Sequence, residues 1–299
     1  MCKFKSAIVL RNGDILHNDF TDSHEDLIEL FGLIDNGKEN FVRIEYSTKG
    51  KRLDKIENYS LVVDEKSTPA WFEEIRESAT GQMKTIVSNM IISENQKIIA
   101  GRAVILTGNA VVNKIRHCII HEMRESSQVG EMWESSQVGE MRESSQVGEM
   151  WESSQVGEMW ESSRVGTMRE SSWVGTMRES SQVGTMWGSS RAGTMRESSQ
   201  VGTMWESSQV GTMRGSSQVG TMWGSSQVGK MWGSSQVGTM WESSRVGTMR
   251  ESSRVGTMRE SSQVGTMWGS SRAGTMRESS QVGTMRESSQ VVVDSRIKK

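Results

Sequence analysis

The residues of this chain best suited to catalysis, four histidines and two cysteines, all lie within its first 122 positions. Removal of Met1 would leave Cys2 as an N-terminal thiol, an arrangement that can act as a nucleophile in amide transfer. Such chemistry is carried by domains far larger than the ~95 residues available here, so a buried or incidental thiol is the plainer reading. His117, Cys118 and His121 lie close together, but a metal needs a third or fourth protein ligand and no further one is signalled by spacing. A packing role for Cys118 is expected instead. His17 and His24 flank a turn and are expected to see solvent. No catalytic, cofactor-binding or metal-binding residue is therefore assigned.

Binding chemistry is better represented. Trp133, Trp151, Trp187, Trp205, Trp223 and Trp241 recur at multiples of eighteen residues, with arginine at most of the intervening positions. Repeated indoles can stack on sugar rings, bases or another protein, with neighbouring Arg and Glu supplying polar contacts. Equally, Trp and Arg are both flat and amphipathic, so they can simply cover strands and stabilise stacking by cation–π contact. A threonine series from Thr167 onward, broken at Lys230, forms a second regular array. Ice-binding arrays favour paired threonines, and here the partner position is Trp or Arg.

The elements that must position these side chains follow from one periodicity. Methionine recurs every nine residues from Met123 to Met285, nineteen copies that use 19 of the 22 methionines in the chain. Written from methionine, the unit is M-[W/R]-[E/G]-S-S-[Q/R/W]-V-G-[T/E/K], with the final copy ending in valines. Position one and the serines at four and five never vary, and position seven is valine except at Ala192 and Ala273. A nine-residue period fits neither the heptad nor the eleven-residue repeat of supercoiled helices, and Ser, Val and Gly in every unit disfavour helix. Alternation along a strand places Ser136, Val138 and Met141 inward, with Gln137, Glu140 and Arg142 outward. Gly139 then suits a corner of positive φ, and inward serines could hydrogen-bond along a ladder.

The pattern thus predicts a mainly β chain: a small α+β head followed by a β-solenoid of tandem nine-residue repeats. Even-numbered copies carry Trp at position two six times in nine, and odd-numbered copies carry Arg seven times in ten. That parity favours eighteen residues per coil, although duplication of eighteen-residue blocks would also produce it. At ~4.8 Å per rung the rod would be roughly 45 Å long. A low-complexity disordered tract is the alternative, but it does not account for apolar residues at one fixed phase in every copy. The period matches the calcium-binding β-roll, yet no Asp occurs between Asp64 and Asp294, so the usual ligands are missing and no calcium requirement is expected.

Residues 1–95 are read as the head, 96–122 as degenerate capping coils, 123–293 as the solenoid and 294–299 as a polar tail. In the lead-in, Ala110-x-Val112-x-x-Ile115 and Cys118-x-Ile120-x-x-Met123 match the spacing of Ser136, Val138 and Met141. In the head, strands are predicted over 6–10, 14–17, 41–46 and 59–63, with Asn12-Gly13 turning the first hairpin. A helix capped by Asp22 or Ser23 runs to Leu33 with an apolar side of Leu27, Ile28, Leu30 and Phe31. A second is capped by Thr68 with Pro69 in its first turn, and Gly81 is a candidate interruption. Its apolar face is Trp71, Phe72, Ile75, Met83, Ile86 and Met90.

The opening MCKFKSAIVL stretch, followed by such a head and tandem nonapeptides, resembles uncharacterised proteins of gut bacteria and their phages. The match would span the whole chain, with Met1–Leu10 as its most specific part. The resemblance implies a bacterial or phage origin and brings no activity with it.

Formal net charge is −2 at pH 7 with pI near 6.2, which gives no support to a nucleic-acid partner or a DNA mimic. No stretch reaches the ~18 apolar residues of a membrane span, and no signal peptide is recognised. Cytoplasmic synthesis is expected, with a virion location if the gene is phage-borne. The expected function is non-enzymatic: a structural or interaction scaffold of unknown partner, without a cofactor. The alternatives are a carbohydrate- or surface-binding module that uses the Trp/Arg ladder, and a small head-domain enzyme with the repeat as a spacer.

Overall fold

The computed structural model describes residues 4–35, 40–50 and 52–295; Cys2 and the last four residues of the polar tail lie outside them. The chain divides into two compact units, residues 1–93 with 102–106, and residues 94–101 with 107–299.

The first unit is α+β. Strands β1 (Lys5–Leu10), β2 (Ile15–Leu16), β3 (Phe41–Thr48) and β4 (Tyr59–Val63) form an antiparallel sheet in the order β2-β1-β3-β4. Residues 5–9 of β1 are buried on both faces of the strand, and Ile8 packs with Leu27 and Phe41 in one apolar cluster. Helix α1 (His24–Leu30) starts where Ser23 accepts a hydrogen bond from the Asp26 N–H, an N-cap that satisfies one of the helix's free donors. Its apolar side is narrower than expected, since Leu27 is buried while Leu30 and Phe31 face solvent. Helix α2 (Ala70–Met90) begins after Pro69, so proline rather than Thr68 occupies the cap position. The helix continues through Gly81, and burying Phe72, Ala79, Met83, Val87 and Met90 along one face holds it.

The second unit is a β-solenoid of about 11 turns with eighteen residues per coil, built from parallel strands. Odd and even copies feed two different sheets. One runs from Gln96–Ala100 through Val111–Arg116 and Gln128–Trp133 to Gln290–Asp294, and the other contains Ile119–Met123, Gln137–Met141 and every second strand to Gln281–Met285. Register is like on like: Val138 pairs with Val156 and Met141 with Met159. The lead-in is in phase, with Val112 under Val129 and Ile115 under Met132. Ala110 and Cys118 stand in the column that Ser127 and Ser136 continue.

Two expectations about the unit are corrected. The positive-φ corner is not the position-eight glycine but position three, where every residue, Glu or Gly, is left-handed: Glu206 has φ 57 and Gly188 φ 68. Gly139 instead lies within strand Gln137–Met141, and a Cβ there would meet the His121 carbonyl oxygen at 2.6 Å. Register pairs skip this glycine without changing their offset, so it marks a kink shared by both strands at which backbones approach closely. The kink shifts the alternation by one residue, and Val138 and Met141, three apart, both point inward. Of the two serines only the fifth-position one is interior, as Ser136 is and Ser135 is not. Rungs ~4.8 Å apart are too far for O–H···O bonds of ~2.5–3.0 Å, so no serine-to-serine ladder forms. Ser136 and Ser280 donate instead to the carbonyls of Trp133 and Arg277, at 2.8 and 2.7 Å.

Candidate functional site

The position-two side chains stand at the ends of the strands on the outer surface, the tryptophans half-buried and several arginines, such as Arg196 and Arg214, exposed. Eighteen residues per coil brings the even copies into one column. Trp133 stacks on Trp151 at 5.0 Å between ring centroids. Trp187, Trp205, Trp223 and Trp241 form one run with centroid separations of 5.0, 5.2 and 4.7 Å and interplanar angles of 3–7°. An arginine follows each run and covers its last ring. The Arg169 guanidinium lies 4.5 Å from the Trp151 centroid, and Arg259 lies 4.3 Å from Trp241. In the odd column Arg178 covers Trp160 and Arg250 covers Trp232. The six ladder tryptophans are therefore brought together in two runs whose ring faces lie against neighbours. What they offer a ligand is chiefly ring edge.

Charge is distributed unevenly beneath the balanced total. In copies one to four, position nine is Glu, and it holds a neighbouring cation: the position-two Arg142 donates to Glu140 at 2.7 Å, and Lys114, one rung before Glu131 in the same column, lies 2.9 Å from it. Glu131 also accepts from the Trp133 indole N–H, and together these bonds, the lysine's first, hold its carboxyl below the usual carboxylate range. From Thr167 onward threonine replaces that glutamate. Residues 123–166 carry 3 Arg against 9 Glu, a net of −6, and residues 167–293 carry 13 Lys/Arg against 9 Glu, a net of +4.

One indole stands apart. Trp173 is the only tryptophan at position six, and it is 40% exposed. It belongs to no ring stack or cation–π pair among the described residues, and its ring reaches back over Gly175, where an added Cβ would sit 3.1 Å from Cη2. One rung on, in register, is the exposed Arg191. Together with the hydroxyl-bearing Ser171 and Ser189 the pair lines a surface depression of about 440 Å³. The position-two periodicity does not point to this site; its signal in the sequence is a tryptophan in a column otherwise made of Gln and Arg.

The remaining candidates do not converge. The Cys118 thiol points inward and donates to the Ile99 and Arg116 carbonyls, each at 3.2 Å. His117 sits at an exposed corner beside Glu134, and no group of three or more potential metal ligands occurs among the described residues. In the head His24 is buried, contrary to expectation, with Nε2 3.0 Å from the Ile44 carbonyl and Nδ1 3.2 Å from Asp64. Both ring nitrogens are thus engaged, and the residue ties the start of α1 to the sheet. His17 is half-buried; desolvation and then the Lys5 ammonium lower its pKa, with Asp19 opposing. Lys5 itself is buried, donates to the Asn18 carbonyl, and lies 3.7 Å from Asp22 and 3.9 Å from Asp19. It fastens the loop that follows β2.

Compared with protein-family models, curated proteins and solved structures, the chain matches none, so the resemblance carried by Met1–Leu10 stands on those residues alone. No helix among the described residues is long and apolar enough to cross a membrane.

Proposed function

We propose that the protein is a non-enzymatic scaffold whose solenoid sets a fixed spacing for an interaction partner. The observation that carries this reading is where the unit's constant residues go. Methionine, the second serine and valine form continuous buried columns, and glycine forms the close backbone contact between coils. Apart from the outward fourth-position serine, the constant residues are thus consumed in building the coil, while the variable positions face outward. A surface-binding module that uses the Trp/Arg ladder is the competing reading. Stacked ring faces count against it, because a sugar or base would need one of those faces free. A phage-particle location rests on the N-terminal resemblance alone.

Replacing Trp187, Trp205, Trp223 and Trp241 together by Arg tests the choice, since arginine already stacks in this column. The scaffold reading expects an unchanged β circular-dichroism spectrum and an unchanged profile on a panel of immobilised glycans. Loss of glycan binding with the fold intact would establish the ladder as a binding surface and overturn the reading.

A further inference from the structure

We infer that Trp173, Arg191, Ser171 and Ser189 form a subsite for a carboxylated pyranose, such as one residue of a uronic-acid polysaccharide. The inference does not depend on the scaffold reading, because it concerns one interruption of the repeat and not the repeat itself.

Elsewhere in the solenoid, an arginine one rung after a tryptophan in the same column always covers its ring. Arg169 on Trp151, Arg178 on Trp160, Arg250 on Trp232, Arg259 on Trp241 and Arg286 on Trp268 all close, with the guanidinium 4.3–4.6 Å from the ring centroid. Trp173 and Arg191 are also consecutive-rung neighbours, yet no guanidinium covers this indole among the described residues. The depression lies where those two side chains and the two serines meet. Its volume of about 440 Å³ is within the ~300–1,000 Å³ typical of small-ligand sites.

The lining specifies the ligand class. An indole without a stacking partner, seated over a glycine, presents an apolar surface to the C–H groups of a pyranose. Arg191 is exposed and without an ion pair among the described residues, and a guanidinium binds a carboxylate through two parallel N–H···O bonds. Ser171 and Ser189 are both exposed, one rung apart, and their hydroxyls can donate to or accept from ring hydroxyls. An open site of this kind suits one sugar of a longer chain lying along the surface.

The sequence supplies its own control substitutions. Position six is Gln in thirteen of the nineteen copies, so Trp173→Gln and Arg191→Gln each restore the commonest residue and leave the coil intact. The full chain would be titrated calorimetrically with trigalacturonate and with its methyl ester, in which the carboxylates are masked. We expect saturable one-site binding of trigalacturonate, weakened roughly tenfold or more in each variant. The ester should bind the unaltered chain as weakly as trigalacturonate binds Arg191→Gln. Absence of saturable binding, or equal affinity in Trp173→Gln with melting unchanged, would overturn the assignment. Equal affinity for acid and ester would remove the carboxylate from it. Tighter, Trp173-dependent binding of benzoate would replace the sugar by a planar aromatic acid.

Discussion

The solenoid uses glycine for two unrelated reasons, and single substitutions separate them. A strand glycine is needed because a neighbouring backbone occupies the space of its side chain: a Cβ at Gly202 would meet the Gly184 carbonyl oxygen at 2.5 Å. A corner residue is under a conformational demand instead. Glu206 adopts φ 57, which costs a residue with a Cβ about 1–2 kcal/mol that glycine escapes. Gly202→Ala should therefore destabilise by about 1–3 kcal/mol. Glu206→Gly should be neutral or stabilise by up to about 1 kcal/mol, once the greater chain entropy of glycine is set against the relieved strain. Thermal melts of the two variants check the pair, and a lower melting temperature for Glu206→Gly would show that the corner favours glutamate. Elsewhere it has a reason to: the Glu197 and Glu251 carboxylates accept the N–H of the corner residue one coil earlier, Glu179 and Gly233, each at 2.9 Å.

At the scale of elements, the same contrast explains what could be read from the sequence. The strands, the inward Ser, Val and Met, and the two-unit coil all follow from periodicity, which each copy repeats and so averages over accidents. The site of the positive φ did not follow, because glycine at position eight is the usual signal for it and glutamate at position three is not. Trp173 was missed for the opposite reason, being a single departure in a pattern read for its regularities. In the head, β4 was placed to the residue, but His24 was not recognised as buried, since its partners Ile44 and Asp64 lie 20 and 40 residues away. The head also carries a pH dependence. His17, just after β2, has its pKa lowered from 6.5 chiefly by burial, so the folded state binds fewer protons than the unfolded chain between the two values. Head stability is then complete above about pH 6.5 and falls as the pH drops toward the folded pKa. The protection factors of the β1 amides, taken against the intrinsic exchange rate at each pH, should fall across that window, and His17→Gln should flatten the profile. An unchanged profile would assign the dependence to another group.

For the solenoid as a whole, the deciding fact is that one coil contains two units. Deleting copies nine and ten, residues 195–212, removes one complete coil and leaves every later strand in its original sheet. Deleting copy ten alone, residues 204–212, also leaves inward residues matched, because both sheets bury the same valine, methionine and serine. It does, however, transfer everything downstream to the other sheet. Trp223 and Trp241 then leave the column of Trp187, and the four-indole run is cut. We expect both deletions to melt cooperatively within a few degrees of the full chain. The coil deletion should keep a three-indole run beside the Trp133–Trp151 pair, whereas the single-unit deletion leaves only the separate pairs Trp133–Trp151 and Trp223–Trp241 and so a weaker circular-dichroism couplet. A large loss of stability on deleting the single unit would mean that the Trp and Arg columns, and not the buried residues, hold the coils in register.

The two-unit coil also bears on how such a gene can vary. Recombination between near-identical copies adds or removes whole units, and the protein sorts the products by parity. A gain or loss of eighteen residues preserves every column and moves the far end of the solenoid by one rung, ~4.8 Å. A gain or loss of nine exchanges the two outer surfaces beyond the junction while the interior is untouched. Length and surface pattern are therefore separately heritable, and a population of such genes would constitute a set of rulers graduated in single rungs.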